Sequence, residues 1–416
     1  MKGSQGLRNI FDQYQVPENR VTNALLQTLE RDRGLLDAFI KKVIGRPIAK
    51  KEDIVFKAFK KPGADGDIKS SEEQTQSIPD GLILIGENIA VAIESKIVKN
   101  AIRPEQLRSH LREVANYNEK YLCVITPDDS SPIEELKARG EIGVNSIWLS
   151  WREIYEMLGD YKSPKNAEEF LQSQLKEFLY MQNDLIGFCG IKKWEEGYDL
   201  EQANNIVRNL IRAIKPKLQE IYQGFIYEKP KYKKQKNPYE IYADAAWGYL
   251  APQEDFTKDL HFTFSLSETN LFIGLTIPHN AGQRWGRLKQ ICKDDNLFRE
   301  FESLLFELRS TLPNIYLEFL QRHYVGRKDG VIDGMIEMNL DTINGNPEKN
   351  VKENKALWEG LRSAIARKKD YNGQLMIRTR YFFKDHPEME DENFKDEIIR
   401  ATSSFKPLYE FLTENA

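Results

Sequence analysis

Residues 79–96 have the sequence PDGLILIGENIAVAIESK, and the strand arrangement of the first part of the chain can be worked out from them. Two apolar runs, Leu82–Ile85 and Ile89–Ile93, are separated by three polar or turn-forming residues. Such a pattern is typical of a β-hairpin. We therefore predict an antiparallel pair of strands in which residue 85 faces residue 89. Asn88 is the loop residue expected to take the left-handed conformation.

This register brings two acidic residues together. It places Asp80 directly opposite Glu94, at the open end of the hairpin. Facing side chains on paired strands have Cβ atoms about 4.5–5.5 Å apart, and like charges so placed destabilise a sheet. A divalent cation between the two carboxylates is the plainest way to offset their repulsion.

Alternation along the second strand adds a lysine to the pair. One face carries Ile89, Val91, Ile93 and Ser95, and the other carries Ala90, Ala92, Glu94 and Lys96. The small alanines are expected to leave room beside the charged groups. A bound metal polarises a phosphate and lowers the pKa of water. The ammonium of Lys96 can orient that water or stabilise charge in the transition state.

The alternative is a cluster of charges on a solvated strand edge. Leu82–Ile85 argues against it, because this run shows no polar alternation and is expected to be buried on both faces.

The elements around the hairpin predict a mixed sheet with helices on its faces. We expect a helix from Pro17 to about Glu30 and another from Pro104, whose buried stripe is Leu107, Leu111 and Val114. Two further strands follow at 121–126 and 146–149, and a helix then begins at Ser150, which has capping-box spacing to Glu153.

The polar stretch 159–166 is the expected domain boundary, which gives domains of 1–162 and 163–416. The second domain is predicted to be α+β. Its expected helical regions are 167–222, 284–312 and 392–414. Its expected strands are 240–250, 261–266, 271–277, 315–323, 331–339 and 374–383.

Together, Pro79-Asp80, thirteen intervening residues and Glu94-Ser95-Lys96 resemble the motif of the PD-(D/E)XK nuclease superfamily. The likeness covers about residues 1–160, because the segments YLCVITP and SIWLSWREIYEML also resemble the later strand and helix of many restriction and defence nucleases. The resemblance implies a restriction-endonuclease-like fold and metal-dependent cleavage of DNA with Mg²⁺ or Mn²⁺. It implies that Asp80 and Glu94 hold the metal and that Lys96 is catalytic.

The resemblance also implies roles for two helix residues. Glu18 occupies the place of a metal-supporting glutamate, and Gln106 that of a catalytic glutamine on the helix after the hairpin. The alternative for Glu18 is a first-turn glutamate that favours the helix dipole. For Gln106 it is an ordinary surface position. Asp65 and Asp67 precede the hairpin and are expected to be solvated turn residues.

Composition excludes several other classes of protein. The net charge of the 416 residues is only -4, so a surface that binds nucleic acid has to be local. Three widely spaced cysteines suggest neither a disulfide framework nor a zinc site. The five histidines form no ligand spacing and are expected to be surface or satisfied polar residues. Lacking an apolar h-region and any long apolar stretch, the chain is expected to be cytoplasmic, with no membrane partner.

Two basic segments are candidates for contact with nucleic acid. The first is the run KPKYKKQKNPY at 229–239, which supplies Lys229, Lys231, Lys233, Lys234 and Lys236. The second supplies Arg284 and Arg287 around Trp285. The alternatives are a mobile solvated loop for the first segment and a core position for the tryptophan.

The expected function is that of a metal-dependent endonuclease acting on DNA in prokaryotic restriction or antiphage defence, as a homodimer or within a larger complex. One alternative is a module that keeps the nuclease fold but only binds nucleic acid. The other is a protein-interaction subunit of a defence complex.

Overall fold

A computed structural model of the chain describes residues 17–49, 52–58, 79–143, 145–162, 166–182, 185–193, 200–228, 246–325, 329–341, 355–367 and 372–414. The chain divides into two compact units, Met1–Gly187 and Phe188–Ala416. This division lies beyond the boundary expected at residue 162. The reason is that the helix Asn166–Met181 packs against helices of the first unit.

The first unit is built on a five-stranded mixed sheet with strand order β1-β2-β3-β4-β5. Strand β2 pairs antiparallel with both β1 and β3, whereas β4 pairs in parallel with both β3 and β5. The strands are β1 Ile54–Ala58, β2 Gly81–Ile85, β3 Ile89–Ser95, β4 Glu119–Thr126 and β5 Ser146–Ser150. The helices are α1 Pro17–Arg31, α2 Arg33–Ile44, α3 Pro104–Glu113, α4 Glu134–Ala138, α5 Trp151–Asp160 and α6 Asn166–Met181.

The hairpin register is confirmed. Ile85 pairs with Ile89, and the ladder runs to Gly81 opposite Ile93. The expected role of Asn88 is wrong, because Gly86 takes the positive φ of the loop, at 56°. Glycine has no Cβ and enters this region without the steric cost that an asparagine carries.

The prediction that the alanine face of β3 leaves room is also wrong. Ala90 and Ala92 are fully buried in one cluster with Leu107 and Val114, which belong to α3 and its C-cap. Small side chains on a strand allow a helix to approach the sheet closely, and here the helix fills the space. The charged end of the strand is therefore covered by α3.

The opposite face of the hairpin packs against α1. A Cβ added at Gly81 would lie 2.7 Å from Cδ1 of Leu26, so the strand and this helix are in close contact. Farther along, the buried hydroxyls of Thr22 and Ser95 form a hydrogen bond. Helices thus cover both faces of the hairpin strands, in line with the predicted layered arrangement.

Two elements of this unit were not predicted. Helix α2 is capped at its N-terminus by Asp32, whose side chain accepts hydrogen bonds from the backbone of Gly34 and Leu35, and at its C-terminus by Gly45 with φ 77°. Strand β1 pairs with the outer side of β2. The predicted capping box of α5 is confirmed, with both reciprocal hydrogen bonds between Ser150 and Glu153 present.

The second unit contains a seven-stranded antiparallel sheet with strand order β11-β10-β12-β9-β8-β7-β6, flanked by helices. Its strands are β6 Tyr227–Glu228, β7 Ala246–Ala251, β8 His261–Leu266, β9 Asn270–Pro278, β10 Ile315–Val325, β11 Asp329–Asn339 and β12 Gly373–Phe382. Its helices are α7 Leu200–Ile221, α8 Gln283–Lys293, α9 Asp295–Thr311, α10 Lys355–Ala366, α11 Phe394–Ser404 and α12 Lys406–Thr413.

The six strands predicted here from 240 onward are present, although residues 240–245 lie outside the described part of the chain. The region expected to be helical over 284–312 contains two helices, because Asp294 caps the second of them through its side chain. Helix α10 was not predicted. Among the described residues, no helix combines the length and the apolar character needed to cross a bilayer.

Candidate functional site

Three of the predicted residues lie at one end of the hairpin. Asp80 immediately precedes β2, and Glu94 and Lys96 lie at the carboxyl end of β3. The ladder ends with the pair Gly81–Ile93, and Asp80 and Glu94 are the residues that adjoin this pair on the two strands. Asp80 is 9% exposed and Glu94 is fully buried. The structure therefore places the two predicted acidic residues at the same end of the hairpin, with Lys96 in contact with Glu94.

Glu94 is contacted by protein groups on both carboxylate oxygens. Nζ of Lys96 lies 2.6 Å from Oε1, and Nε2 of His110 lies 2.8 Å from Oε2. The lysine contact lacks hydrogen-bonding geometry, so Oε1 is a buried oxygen with no hydrogen bond from a described residue. A carboxylate withdrawn from water needs compensation from nearby cations or donors. Lys96 and His110 provide it.

Asp80 is oriented by the main chain of β3. Its Oδ2 accepts a hydrogen bond of 2.8 Å from the backbone N–H of Ser95. This bond links the residue before β2 to the last residue of β3. It thus holds the Asp80 carboxylate at the hairpin end, beside the Glu94 position.

The backbone of Lys96 is anchored to neighbouring elements. Its N–H donates to the carbonyl of Ile125 on β4 at 2.9 Å, and its carbonyl accepts from Nε1 of Trp151 at 2.9 Å. Trp151 is the fully buried first residue of α5. These bonds fix the point where the lysine leaves the sheet. Its side chain is 13% exposed, so the ammonium lies near the surface.

His110 is the residue of this site that the sequence analysis did not assign to it. The histidine is fully buried on α3, in the stripe that includes Leu107 and Val114, whereas Leu111 of the predicted stripe is only partly buried. A signal was present: residue 110 lies one helical turn after residue 107, on the face predicted to be buried. Its partner was not predictable without knowing that α3 lies over the end of β3.

The two predicted helix residues have different outcomes. Gln106 is half-buried on α3, one turn before His110. Within the described residues, the polar contacts of Glu94 come from Lys96 and His110, and Gln106 is not among them. Glu18 lies in α1, but its side chain falls outside the described residues, as do Asp65 and Asp67.

The predicted nucleic-acid contacts of the second unit are only partly described. Lys229, Lys231, Lys233, Lys234 and Lys236 lie outside the described residues. Both arginines make contacts within the protein. Arg284 pairs with Asp259 at 3.1 Å and donates to the carbonyl of Thr413, and Arg287 stacks on Phe411. Trp285 is buried, which confirms the alternative that it is a core residue.

A thiol near the site can be excluded as a nucleophile. Cys123 on β4 pairs with Ile93 of β3 and is fully buried. Burial raises the pKa of this thiol far above its ordinary value, with a smaller contribution from the charge of Glu153. Thiol nucleophiles need a lowered pKa and some access to solvent. Cys123 is therefore not a candidate nucleophile.

The residues present fit a hard divalent cation. Among the described residues, no group of three or more His, Cys, Asp and Glu side chains is placed to hold a metal ion. Mg²⁺, however, usually keeps several waters and takes only one or two protein carboxylates. Asp80 and Glu94 supply two carboxylates. The buried Oε1 of Glu94 lies beside the ammonium of Lys96 and accepts no hydrogen bond from a described residue. This donor set suits Mg²⁺ or Mn²⁺.

Comparison of the chain with protein-family models finds no match. A search of curated proteins finds no match either.

Proposed function

We propose that the first unit is a metal-dependent nuclease that hydrolyses phosphodiester bonds, with DNA as its substrate. The observation that supports this most strongly is the grouping at the hairpin end. Asp80 and Glu94 adjoin the last pair of the hairpin ladder, Gly81–Ile93, and the ammonium of Lys96 lies 2.6 Å from the Glu94 carboxylate. The resemblance to PD-(D/E)XK nucleases gives the same three residues the same roles.

Each residue has a separate task in this proposal. Asp80 and Glu94 hold the divalent cation, and Glu18 supports it. When bound, the cation supplies positive charge that polarises the phosphate. Lys96 orients the attacking water or stabilises the negative charge that develops on the phosphate in the transition state. Gln106 lies on the helix that covers the same strand end and assists from there.

The ammonium and the cation compete for one oxygen of Glu94. In the structure the ammonium of Lys96 contacts Oε1 of Glu94. The lysine side chain is partly exposed, so in this proposal it moves outward when a cation binds. The lysine is then released to act on the water or the phosphate. The same carboxylate thus holds the lysine in the resting protein and the metal in the active one.

A second candidate function is a binding module without cleavage, either on nucleic acid or on protein partners of a defence complex. The observation that favours it is the state of Glu94, which is fully buried with Lys96 and His110 on its two oxygens. Such a carboxylate is compensated without any metal. The two candidates differ in whether a cation displaces the lysine.

A plasmid-nicking assay separates these functions. Wild-type protein and Asp80→Ala are incubated with supercoiled DNA in Mg²⁺, in Mn²⁺ and in EDTA. Asp129→Asn is the matched control, since Asp129 is an exposed carboxylate paired with Lys99. Nicking by the wild type and the control, dependent on metal and absent in Asp80→Ala, supports the nuclease. Equal activity in wild type and Asp80→Ala removes the assignment. Salt-sensitive DNA binding with no cleavage supports the binding module.

A restriction or antiphage role in the cytoplasm, and a homodimer or larger complex, belong to the same proposal. Cutting both strands of a duplex requires two sites, which a dimer supplies. Co-purification from a native host tests this part. Partner proteins that co-purify support a larger complex, and a dimer of the chain alone supports an independent nuclease.

A further inference from the structure

His110 reaches Glu94 because of the way α3 is placed. The helix begins at Pro104, and it buries Leu107 against the same face of the sheet that carries Ala90 and Ala92. His110 follows one turn later and meets the end of that face, where the strand changes from alanines to Glu94. His110 is thus the polar member of an otherwise apolar helix stripe, and it lies opposite the buried carboxylate of Glu94.

The hydrogen bonding of the imidazole defines its tautomer. Nε2 lies 2.8 Å from Oε2 of Glu94, and Nδ1 is buried with no hydrogen-bond partner among the described residues. A carboxylate oxygen accepts, so Nε2 carries the hydrogen and donates. A hydrogen on Nδ1 would be a buried N–H without an acceptor, which is costly. The tautomer with its hydrogen on Nε2 avoids that cost.

We propose that His110 is a positioning residue for the metal site: it holds one oxygen of Glu94 so that the other, Oε1, is presented to the cation. This inference rests on the proposed function, because it assigns a task within the same site. Hydrogen bonds from surrounding groups to ligand side chains are a general means of fixing a metal ligand, and their loss weakens metal binding about 10–100-fold.

The arrangement of the two oxygens supports this division of labour. The imidazole and Glu94 are both fully buried, so the bond on Oε2 is shielded from water. The contact on Oε1 comes instead from a lysine whose side chain is 13% exposed and which lacks hydrogen-bonding geometry. One oxygen therefore has a fully buried, hydrogen-bonded partner, and the other has a partly exposed partner without a hydrogen bond.

The test is Mn²⁺ binding by the full chain, measured by calorimetry on the wild type, His110→Leu and His110→Gln. Leucine keeps the volume and removes the donor. The amide nitrogen of glutamine and Nε2 of histidine are both three bonds from Cβ. Glutamine can therefore restore the hydrogen bond to Oε2 of Glu94. His261→Leu is the matched control, because His261 is also buried but lies in the second unit, where it bonds the backbone of Asp259. Unfolding midpoints of all variants are measured in EDTA.

We expect His110→Leu to raise the Kd for Mn²⁺ by ~10-fold or more, and His110→Gln to stay within about 3-fold of the wild type. His261→Leu should lower the unfolding midpoint without changing Mn²⁺ affinity. If the role of His110 were purely structural, His110→Leu would likewise lower the unfolding midpoint and leave Mn²⁺ affinity unchanged. Equal Mn²⁺ affinity in wild type and His110→Leu overturns the positioning role.

The outcomes separate this inference from the proposed function. If Mn²⁺ affinity depends on His110 but the wild-type protein does not nick DNA, the positioning role stands and the nuclease assignment falls. If the wild type nicks DNA and His110→Leu binds Mn²⁺ as the wild type does, only the positioning role falls. A wild-type protein that binds no Mn²⁺ contradicts both.

Discussion

Nε2 of His110 lies 2.8 Å from Oε2 of Glu94, and neither side chain is exposed to solvent. On the other oxygen of the same carboxylate, the ammonium of Lys96 supplies the opposite charge. Burying a carboxylate costs several kcal/mol unless such partners offset the loss of water. In the proposed function this cluster is the site of the chemistry, and each of its contacts can be tested separately.

Asp80 provides the cleanest separation of charge from hydrogen bonding. In Asp80→Asn the side-chain oxygen can still accept from the N–H of Ser95, as the carboxylate does at 2.8 Å. In EDTA we expect this variant to be as stable as the wild type, or more stable by up to about 1 kcal/mol, because repulsion with Glu94 is relieved. Asp80→Ala loses the acceptor and should be less stable by roughly 1–3 kcal/mol.

Added Mn²⁺ should then raise the unfolding midpoint of the wild type and leave both Asp80 variants unchanged, because a ligand stabilises only the folded state that binds it. Denaturant unfolding with and without metal measures this. A midpoint that rises equally in Asp80→Asn would show that the cation binds elsewhere.

Lys96→Met tests the competition at Oε1. Removal of the ammonium should leave Mn²⁺ affinity unchanged or higher, since nothing then competes for the oxygen it contacts at 2.6 Å. Cleavage at saturating metal should fall by about 100-fold or more, because a group that stabilises the transition state is lost. Lys99→Met is the control, as Lys99 is 46% exposed and paired with Asp129. Wild-type cleavage rates in Lys96→Met would exclude the catalytic role.

Trp151 tests the anchoring of the lysine. Trp151→Phe removes the donor to the Lys96 carbonyl, and Trp148→Phe removes a similar donor to the hydroxyl of Thr126, each bond being 2.9 Å long. Both variants should lose roughly 1–3 kcal/mol of stability. Only Trp151→Phe should also reduce cleavage, by about 10-fold or more, because small displacements of a reacting group are costly. Equal losses of activity in the two variants would contradict this account.

The stability of the second unit should depend on pH through His261. Burial lowers the pKa of this histidine to about 4, from 6.5. Because the unfolded chain takes up the proton first as pH falls, the contribution to stability is complete above pH ~6.5 and is lost as pH falls toward 4. The loss should reach on the order of 3 kcal/mol.

The measurement is the urea midpoint between pH 7 and pH 4.5 for the wild type and for His261→Leu. The variant lacks the titrating group, so its midpoint should fall less steeply than that of the wild type over this range. Identical slopes would mean that His261 takes up no proton on unfolding.

The hairpin shows what the sequence predicts well. A three-residue loop between two apolar runs determines which residues pair, and the register from Ile85–Ile89 to Gly81–Ile93 followed from the loop alone. The capping box at Ser150 was equally predictable, because it depends on residues three apart in the chain. Local constraints of this kind are contained in short stretches of sequence.

Packing between distant segments was not predictable in the same way. Ala90 and Ala92 were compatible with an open pocket or with a close helix, and only the position of α3 decides between them. The partnership of His110 with Glu94 has the same origin, since 16 residues separate the two and neither spacing nor periodicity connects them. Arg284 and Arg287 were predicted from composition as nucleic-acid contacts, and their hydrogen bonds to the C-terminal helix α12 were not predictable from that composition.

An anomalous difference map from crystals of the wild-type protein soaked in Mn²⁺ would locate the cation. We expect a peak at the carboxylates of Asp80 and Glu94, with the Lys96 ammonium displaced from Oε1 and His110 still bonded to Oε2. If a soak at saturating Mn²⁺ gives no peak there and Lys96 still contacts Glu94, the two carboxylates do not form a metal site.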